Sequence, residues 1–310
     1  MDELTGLAER FEERRALLLA LAYRMLGSLS EAEDAVQEAW LRLSRTDAAA
    51  IDNLAAWLRT VVSRICLDML RARAARPEEP VGQQVPDAVR GFEEAGGPED
   101  EVLLADSVGR ALLVVLDTLG PAERVAFVLH DMFAVPFEQI APLLERSPVA
   151  AKKLASRARR RVRGTPAVPV AELGEQRALV EAFLAAARGG ELAGLLAVLA
   201  PDVVRRSDPA VLPPGAAALV RGADAVARGT VRLGQRSRYA QTALVDGAVG
   251  AVVAPRGRLL CALTFVCEGG RIAAYEVIAD PARLAGLELA LLDPVPSAPA
   301  AGLPLSQQFA

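Results

Sequence analysis

Between residues 7 and 76 apolar side chains recur at three-and-four spacing. Leu17, Leu18, Leu21 and Met25 form one stripe, and Ala35, Val36, Ala39, Trp40 and Leu43 a second. This spacing collects them on one face of a period-3.6 helix and predicts amphipathic helices. In "GSLSEAEDAVQEAW" the pattern predicts a helix stop at Gly27 and a restart at Ser30, with Glu33 three residues on completing a capping box. A third helix, "NLAAWLRTVVSRICLDMLRARAAR", is bounded by Asn53 and Pro77. The helical pattern returns later as "DSVGRALLVVLDTL", "GPAERVAFVLHDMF", "PFEQIAPLLE" and "SPVAAKKLASRARRRVRG". Beyond "GTPAVPV", residues 175–200 carry one or two further amphipathic helices. The period then changes. "DVVRRS", "RYAQTALVDG", "AVGAVVAPRG", "RLLCALTFVCEGG" and "RIAAYEVIAD" read as strands separated by Gly and Asp turns, with "VRGADAVARGTVRLG" as an intervening helix. The pattern predicts a multidomain chain: two all-α blocks, then an α+β domain built on an antiparallel sheet.

Composition sharpens the boundaries. From Pro77 to Asp106 nine acidic residues face one Arg90 among scattered Pro and Gly, the make-up of a flexible linker. The expected divisions are therefore a helical block over 7–76, a linker over 77–105, a second helical block over 106–164, an α+β domain over 172–290 and a Pro/Ala-rich tail over 291–310. With 52% hydrophobic residues the chain can build cores of its own. The start, "MDELTGLAERFEERR", is charged throughout and unlike a signal peptide, and no long charge-free apolar run predicts a membrane span. The cysteines (Cys66, Cys261, Cys267) are odd in number and lack metal-ligand spacing, which suits a reducing cytoplasm. A single histidine, His130, excludes a histidine-rich metal site, and no nucleophile elbow, phosphate loop or dinucleotide fingerprint occurs. No catalytic residue, metal or cofactor is expected, and the chain is not expected to be an enzyme.

Charge brings out one element. The net formal charge is −4, yet residues 146–164 hold eight basic residues and, after Glu145, no acid. Ser147 is a good N-cap and Pro148 suits the first helical position. The preceding helix, the short turn and this capped helix have the layout of a helix-turn-helix, whose second helix enters the major groove. Ser147, Val149, Lys152, Lys153, Ser156, Arg157, Arg160 and Arg161 are the candidate contacts to phosphates or base edges. A solvated amphipathic helix is the bland alternative. His130 reads as a structural, surface or phosphate-contacting side chain, and Trp57 as core rather than a stacking platform.

These segments resemble the extracytoplasmic-function sigma factors of the sigma-70 family. "LGPAERVAFVLHDMFAVPFEQIAPLLERSPVAAKKLASRARRRVRG" resembles their region 4, which implies −35 recognition by the basic helix. "RRALLLALAYRMLGSLSEAEDAVQEAWLRL" resembles region 2, and the likeness implies that Asp34, Gln37, Glu38 and Trp40 contact the β′ clamp of RNA polymerase core, with the β flap as a second contact. "LAAWLRTVVSRICLDMLRARAAR" resembles the helix that opens and reads the −10 element, which implies roles for Arg59, Arg64, Arg71 and Arg73, while the loop "SRTDAAAIDN" corresponds to the site that captures a flipped base. Two residues depart from the pattern: Glu145 stands at a turn position usually filled by Gly, and Pro142 lies inside the first helix of the motif.

The C-terminal extension resembles a SnoaL-like domain, a cone-shaped α+β fold that one subgroup of these sigma factors carries and uses to control activity. The likeness rests on "LVEAFLAAARGGELAGLLAVLAPDVVRRSD" and "VRGADAVAR". Motifs of that subgroup are altered here to "SDPAV", "DPARL" and "RPEEP". Asp202, Asp208, Tyr239, Tyr275 and Glu276 are the polar groups available to an enzyme on this fold, without a visible dyad. A regulatory surface is expected ahead of a ligand sensor and of an enzyme, and Cys261 and Cys267 are read as buried apolar side chains. The alternative function is a ligand-responsive helix-turn-helix regulator, which would have no need of region 2.

Overall fold

The computed structural model describes residues 2–47, 51–75, 109–213, 215–232 and 234–292. The expected linker and the "RPEEP" stretch lie outside the described residues, as do positions 48–50 of the loop and the tail from 293. In chain order the helices are α1 (Asp2–Leu26), α2 (Leu29–Leu43), α3 (Leu54–Ala75), α4 (Arg110–Asp117), α5 (Pro121–Phe127), α6 (Phe137–Leu144), α7 (Pro148–Arg163), α8 (Val170–Gly189), α9 (Leu192–Val198), α10 (Ala223–Arg232) and α11 (Pro281–Ala285). The strands are β1 (Leu199–Ser207), β2 (Leu219–Arg221), β3 (Ala240–Val245), β4 (Ala248–Val253), β5 (Cys261–Glu268), β6 (Arg271–Ile278) and β7 (Leu289–Ala290). The chain forms two compact units, one from residues 2–75 and 119–159, the other from 109–118 and 160–292.

In the first unit α1, α2 and α3 pack on one another and α5 packs on α3. The apolar stripes meet at Leu18, Leu21, Met25, Ala35, Val36, Ala39 and Leu43, all buried, but Leu17 of the first stripe is exposed and Trp40 of the second only half-buried. The α1–α2 junction differs from expectation. Gly27 ends α1 with φ 74°, but the N-cap is Ser28, whose Oγ accepts from the Glu31 N–H. The helix starts before Ser30 because Leu29 is itself a buried position of α2. Asn53 caps α3 as expected, its Oδ1 accepting from Ala56 N at 3.0 Å. Trp57 is half-buried. Two buried arginines tie α5 to α1: Arg124 Nε donates to the Arg24 carbonyl at 3.3 Å, and Arg24 lies over the Phe133 ring.

The second unit holds a seven-stranded sheet in the order β2-β1-β6-β5-β4-β3-β7. The sheet is mixed, not purely antiparallel: β1 runs parallel to β6, with Arg205 opposite Tyr275 and Ser207 opposite Val277. A parallel pair needs a crossover, and α10 with the β3–β4–β5 meander supplies it. Helices α8, α9 and α10 cover one face, where Val180, Phe183, Leu184, Leu195, Val226 and Tyr275 are buried. Phe183, Phe265 and Tyr275 meet with ring centroids 5.2–5.8 Å apart. Helix α4 is buried on every side from Arg110 to Leu116. It belongs to this unit: Gln241 Oε1 on β3 accepts from Ala111 N at 2.9 Å, and Arg110 lies over the Tyr239 ring.

Candidate nucleic-acid interface

The helix-turn-helix is built around a left-handed turn. Helix α6 ends at Glu145, with φ 55° and ψ 44°, and Arg146 N donates back to Ala141 O at 3.0 Å. This Schellman-type closure normally uses Gly, because a Cβ is strained at positive φ; here Glu145 bears that strain. Pro142 falls beyond the first turn of α6, so the helix forgoes one backbone hydrogen bond there. The next helix is capped at once: Ser147 Oγ accepts from Ala150 N at 3.2 Å, and Pro148 opens α7.

Helix α7 separates by size and charge. Ala151, Ala155, Ala158 and Val162, spaced by four, three and four residues, are fully buried. Lys152, Lys153, Ser156, Arg157, Arg160 and Arg161 are exposed on the remaining faces, and Val149 is 66% exposed at the N-terminal end. Of the basic residues, Arg159 is turned to the protein, its Nε donating to Asp131 Oδ1 at 2.7 Å. Arg161 also reaches the Thr118 carbonyl at 3.3 Å. Ser147 is occupied as a cap. Small buried residues bring the backbone of α7 close to its support, and the exposed sides present cations with an apolar tip at Val149. Cations suit phosphates, and an exposed apolar side chain suits a thymine methyl.

His130 is held inside the support. The α5 backbone continues as a single π turn (Val128–Met132), closed by Phe133 N donating to Val128 O. The His130 Nδ1 lies 3.0 Å from Val135 O, and its ring stacks on Phe137 with centroids 3.9 Å apart. It therefore fixes the entry to α6.

The region 2 candidates fall on different faces. Asp34 and Gln37 are exposed on α2, and Glu38 beside them pairs with Arg42 at 2.9 Å. Trp40 turns toward α1, its ring centroid 5.1 Å from that of Phe11. The exposed Leu41 extends the Asp34–Gln37 face with an apolar side chain. On α3, Arg64 is exposed with no ion pair among the described residues. Arg59 donates to Gln139 Oε1 at 3.3 Å, Arg71 lies 3.8 Å from Asp68, and Arg73 ties the end of α3 to Glu31 and to the Leu26 carbonyl. Arg64 is thus the least engaged of the four, and Arg73 the most.

In the sheet domain the five polar candidates do not converge. Asp202 is exposed, and Tyr239 lies between Arg110 and Arg238. Asp208 and Glu276 share Arg283, at 2.7 and 2.9 Å. Asp208 also accepts from Ala279 N and Asp280 N, so it joins "SDPAV" to "DPARL". Burial works to raise its pKa, but these two N–H groups and Arg283 outweigh it and hold the carboxyl below its ordinary value. Tyr275 is buried, its Oη 2.7 Å from Thr230 Oγ1; burial raises its pKa against the opposing effects of Thr230 and Arg205. Cys261 is buried as expected, whereas Cys267 is only half-buried. Two inward polar residues escaped sequence reading, Arg205 and Ser207 on β1, at 4% and 7% exposure. The signal was available: with Val203 buried, period-two alternation sends 205 and 207 to the same face.

Comparison with known proteins locates both helical blocks. The sigma-70 region 2 family model matches residues 10–76, and the sigma-70 region 4 model residues 109–162. The chain is 39% identical over 297 residues to the ECF RNA polymerase sigma factor SigJ of Mycobacterium tuberculosis, covering 90% of this chain and 93% of that one. It is 35% identical to the probable ECF RNA polymerase sigma factor SigI of the same species, over 92% of this chain and 97% of the relative. The crystal structure of M. tuberculosis SigJ aligns over 90% of this chain and 98% of its own, with 32% identity and a TM-score of 0.43.

Proposed function

Because the chain belongs to the extracytoplasmic-function RNA polymerase sigma factors, we propose that its helix α7 reads the −35 promoter element while α2 and α3 engage core polymerase and the −10 element. As a sigma factor the protein serves transcription initiation, with RNA polymerase core and promoter DNA as partners. The single observation that carries the −35 assignment is the division of α7 into a buried Ala151–Ala155–Ala158–Val162 stripe and exposed cationic sides. Neutralising phosphates with these cations releases counterions and supplies affinity, while the capped N-terminus brings Val149, Lys152 and Lys153 nearest to base edges. The Asp34–Gln37 face, with Leu41 beside it, suits a basic partner helix of the β′ clamp, and the second core contact, the β flap, falls to region 4. Arg64 and Arg59 are the leading −10 contacts on α3; Arg71 and Arg73 serve α3 and its neighbours first. The domain divisions at 7–76, 106–164 and 172–290 are proposed as working boundaries. The cytoplasm, where core polymerase acts, is the proposed site of action. No catalytic role is assigned: Asp208 and Glu276 meet only through Arg283, and Asp202, Tyr239 and Tyr275 lie with other neighbours. A simple helix-turn-helix regulator would not require the region 2 block over residues 10–76.

Lys153→Glu combined with Arg157→Glu tests the assignment. Transcription from a −35-dependent promoter should fall by about tenfold or more, the scale of one or two lost contacts, while capture of core polymerase is unchanged. Full promoter activity in the double variant would refute the assignment.

A further inference from the structure

The inner face of the sheet lines a half-open cavity of about 100 Å³, bounded by Phe183, Leu263, Tyr275, Thr230, Arg205 and Ser207 among others. Its wall is mostly apolar; the polar side chains on it are Arg205, Ser207, Thr230, Tyr275 and Ser237. Thr230 Oγ1 donates to Val226 O at 2.9 Å, which leaves Tyr275 to donate to Thr230. Arg205 has no carboxylate partner among the described residues. Its Nη2 has a 3.5 Å contact to the Ala217 carbonyl and the guanidinium acts on the Tyr275 hydroxyl, a neutral group that brings no counter-charge, while Nε and Nη1 have no hydrogen-bond partner there. The Ser207 hydroxyl is likewise unpartnered. Asp208, next in sequence, is committed on the opposite side to Arg283 and the backbone of 279–280.

A guanidinium does not give up its proton in a protein, so burial cannot neutralise it. Buried cations are ordinarily paired, because desolvation without a counter-charge is costly. The fold nevertheless makes room for this one. A Cβ built on Gly229 of α10 would stand 2.7 Å from Arg205 Nη1, so glycine there leaves the space that the guanidinium fills. Carboxylate oxygens match the planar fork of guanidinium donors, and a hydroxyl two residues along the strand can donate to the same oxygens. The aromatic and aliphatic walls call for a short apolar body. A cavity of about 100 Å³ leaves room for a small body only. We infer that the sheet domain binds a small monocarboxylate in this cavity, its carboxylate on Arg205 and Ser207 and its hydrocarbon against Phe183, Leu263 and Tyr275.

Calorimetric titration of the full chain with propionate, butyrate and isovalerate, each against its neutral amide, tests this without reference to transcription. At least one acid should bind at least about tenfold more tightly than its amide, as a charge-assisted pair requires. Arg205→Gln should weaken that acid by roughly thirtyfold or more, the cost of removing one partner of a buried charged pair. Ser207→Ala removes only an unpartnered hydroxyl, so it should fold like the parent and weaken the acid by about three- to tenfold. Acids and amides that bind alike, or not at all, would overturn the inference. So would parental affinity in Ser207→Ala, a result that holds even if Arg205→Gln fails to fold.

Discussion

Glu145 shows how one residue can carry strain for an element. Its left-handed backbone lets Arg146 N close on Ala141 O and turns the chain from α6 into α7. The left-handed region costs an ordinary L-residue about 1 kcal/mol, and the Glu145 side chain is exposed. Glu145→Gly should therefore raise stability by about 0.5–1 kcal/mol with promoter recognition unchanged, which thermal melts and a transcription assay would check. Resemblance flagged this position, since the backbone demand is local. The same locality does not hold for Cys66, whose thiol burial pushes up to about 12; nothing adjacent in sequence foretells a fully enclosed side chain. His130 differs in kind: its partners Val135 and Phe137 are near in sequence, but the π turn beside it is not visible in helical periodicity.

At the scale of the element, α7 does two things with two residue classes. Its alanines are buried because only small side chains let the backbone approach, and its cations are exposed because burying them unpaired is costly. Ala155→Leu should accordingly destabilise the helical block by about 1–3 kcal/mol through overpacking, whereas Lys152→Ala, at an exposed position, should shift stability by less than about 0.5 kcal/mol. Chemical denaturation of the two variants would separate packing from charge. The cap, the turn and the basic stretch of α7 were all legible in the chain. The fate of individual arginines was not: Arg159 goes to Asp131 and Arg73 to Glu31, and those partners lie 28 and 42 residues away in sequence. The α2 start shifted from Ser30 to Ser28 because burial of Leu29 outweighed the local capping-box signal.

At the scale of the whole molecule, α4 belongs to the region 4 match by sequence and to the sheet unit by packing. It opens the region 4 match at residue 109, yet its N-terminus is capped by Gln241 and it packs with the sheet domain. Seven consecutive buried residues leave it without a solvent face. A chain ended after residue 164 should leave α4 uncovered. Its amides, protected in the full chain, should exchange rapidly in the truncated one, and transcription initiation in vitro should change. Hydrogen exchange and a promoter assay on both chains would check this; equal protection and equal transcription would mean that the C-terminal domain neither holds α4 nor modulates activity.

The sequence by itself determined the parts whose causes are local: helical periodicity, the capped basic helix, the switch to period-two strands and the resemblance to region 2 and region 4. Each follows from residues within a turn or two of one another. Only the tertiary structure decided what depends on distant pairings. The parallel β1–β6 contact sets Arg205 beside Tyr275, Gly229 gives the guanidinium its space, and Asp208 draws "SDPAV" onto "DPARL". An arginine in "DVVRRS" is indistinguishable from a surface charge until sheet register and helix packing fix what surrounds it. Burial and partnership are properties of the folded chain, and they turn that residue into a buried cation.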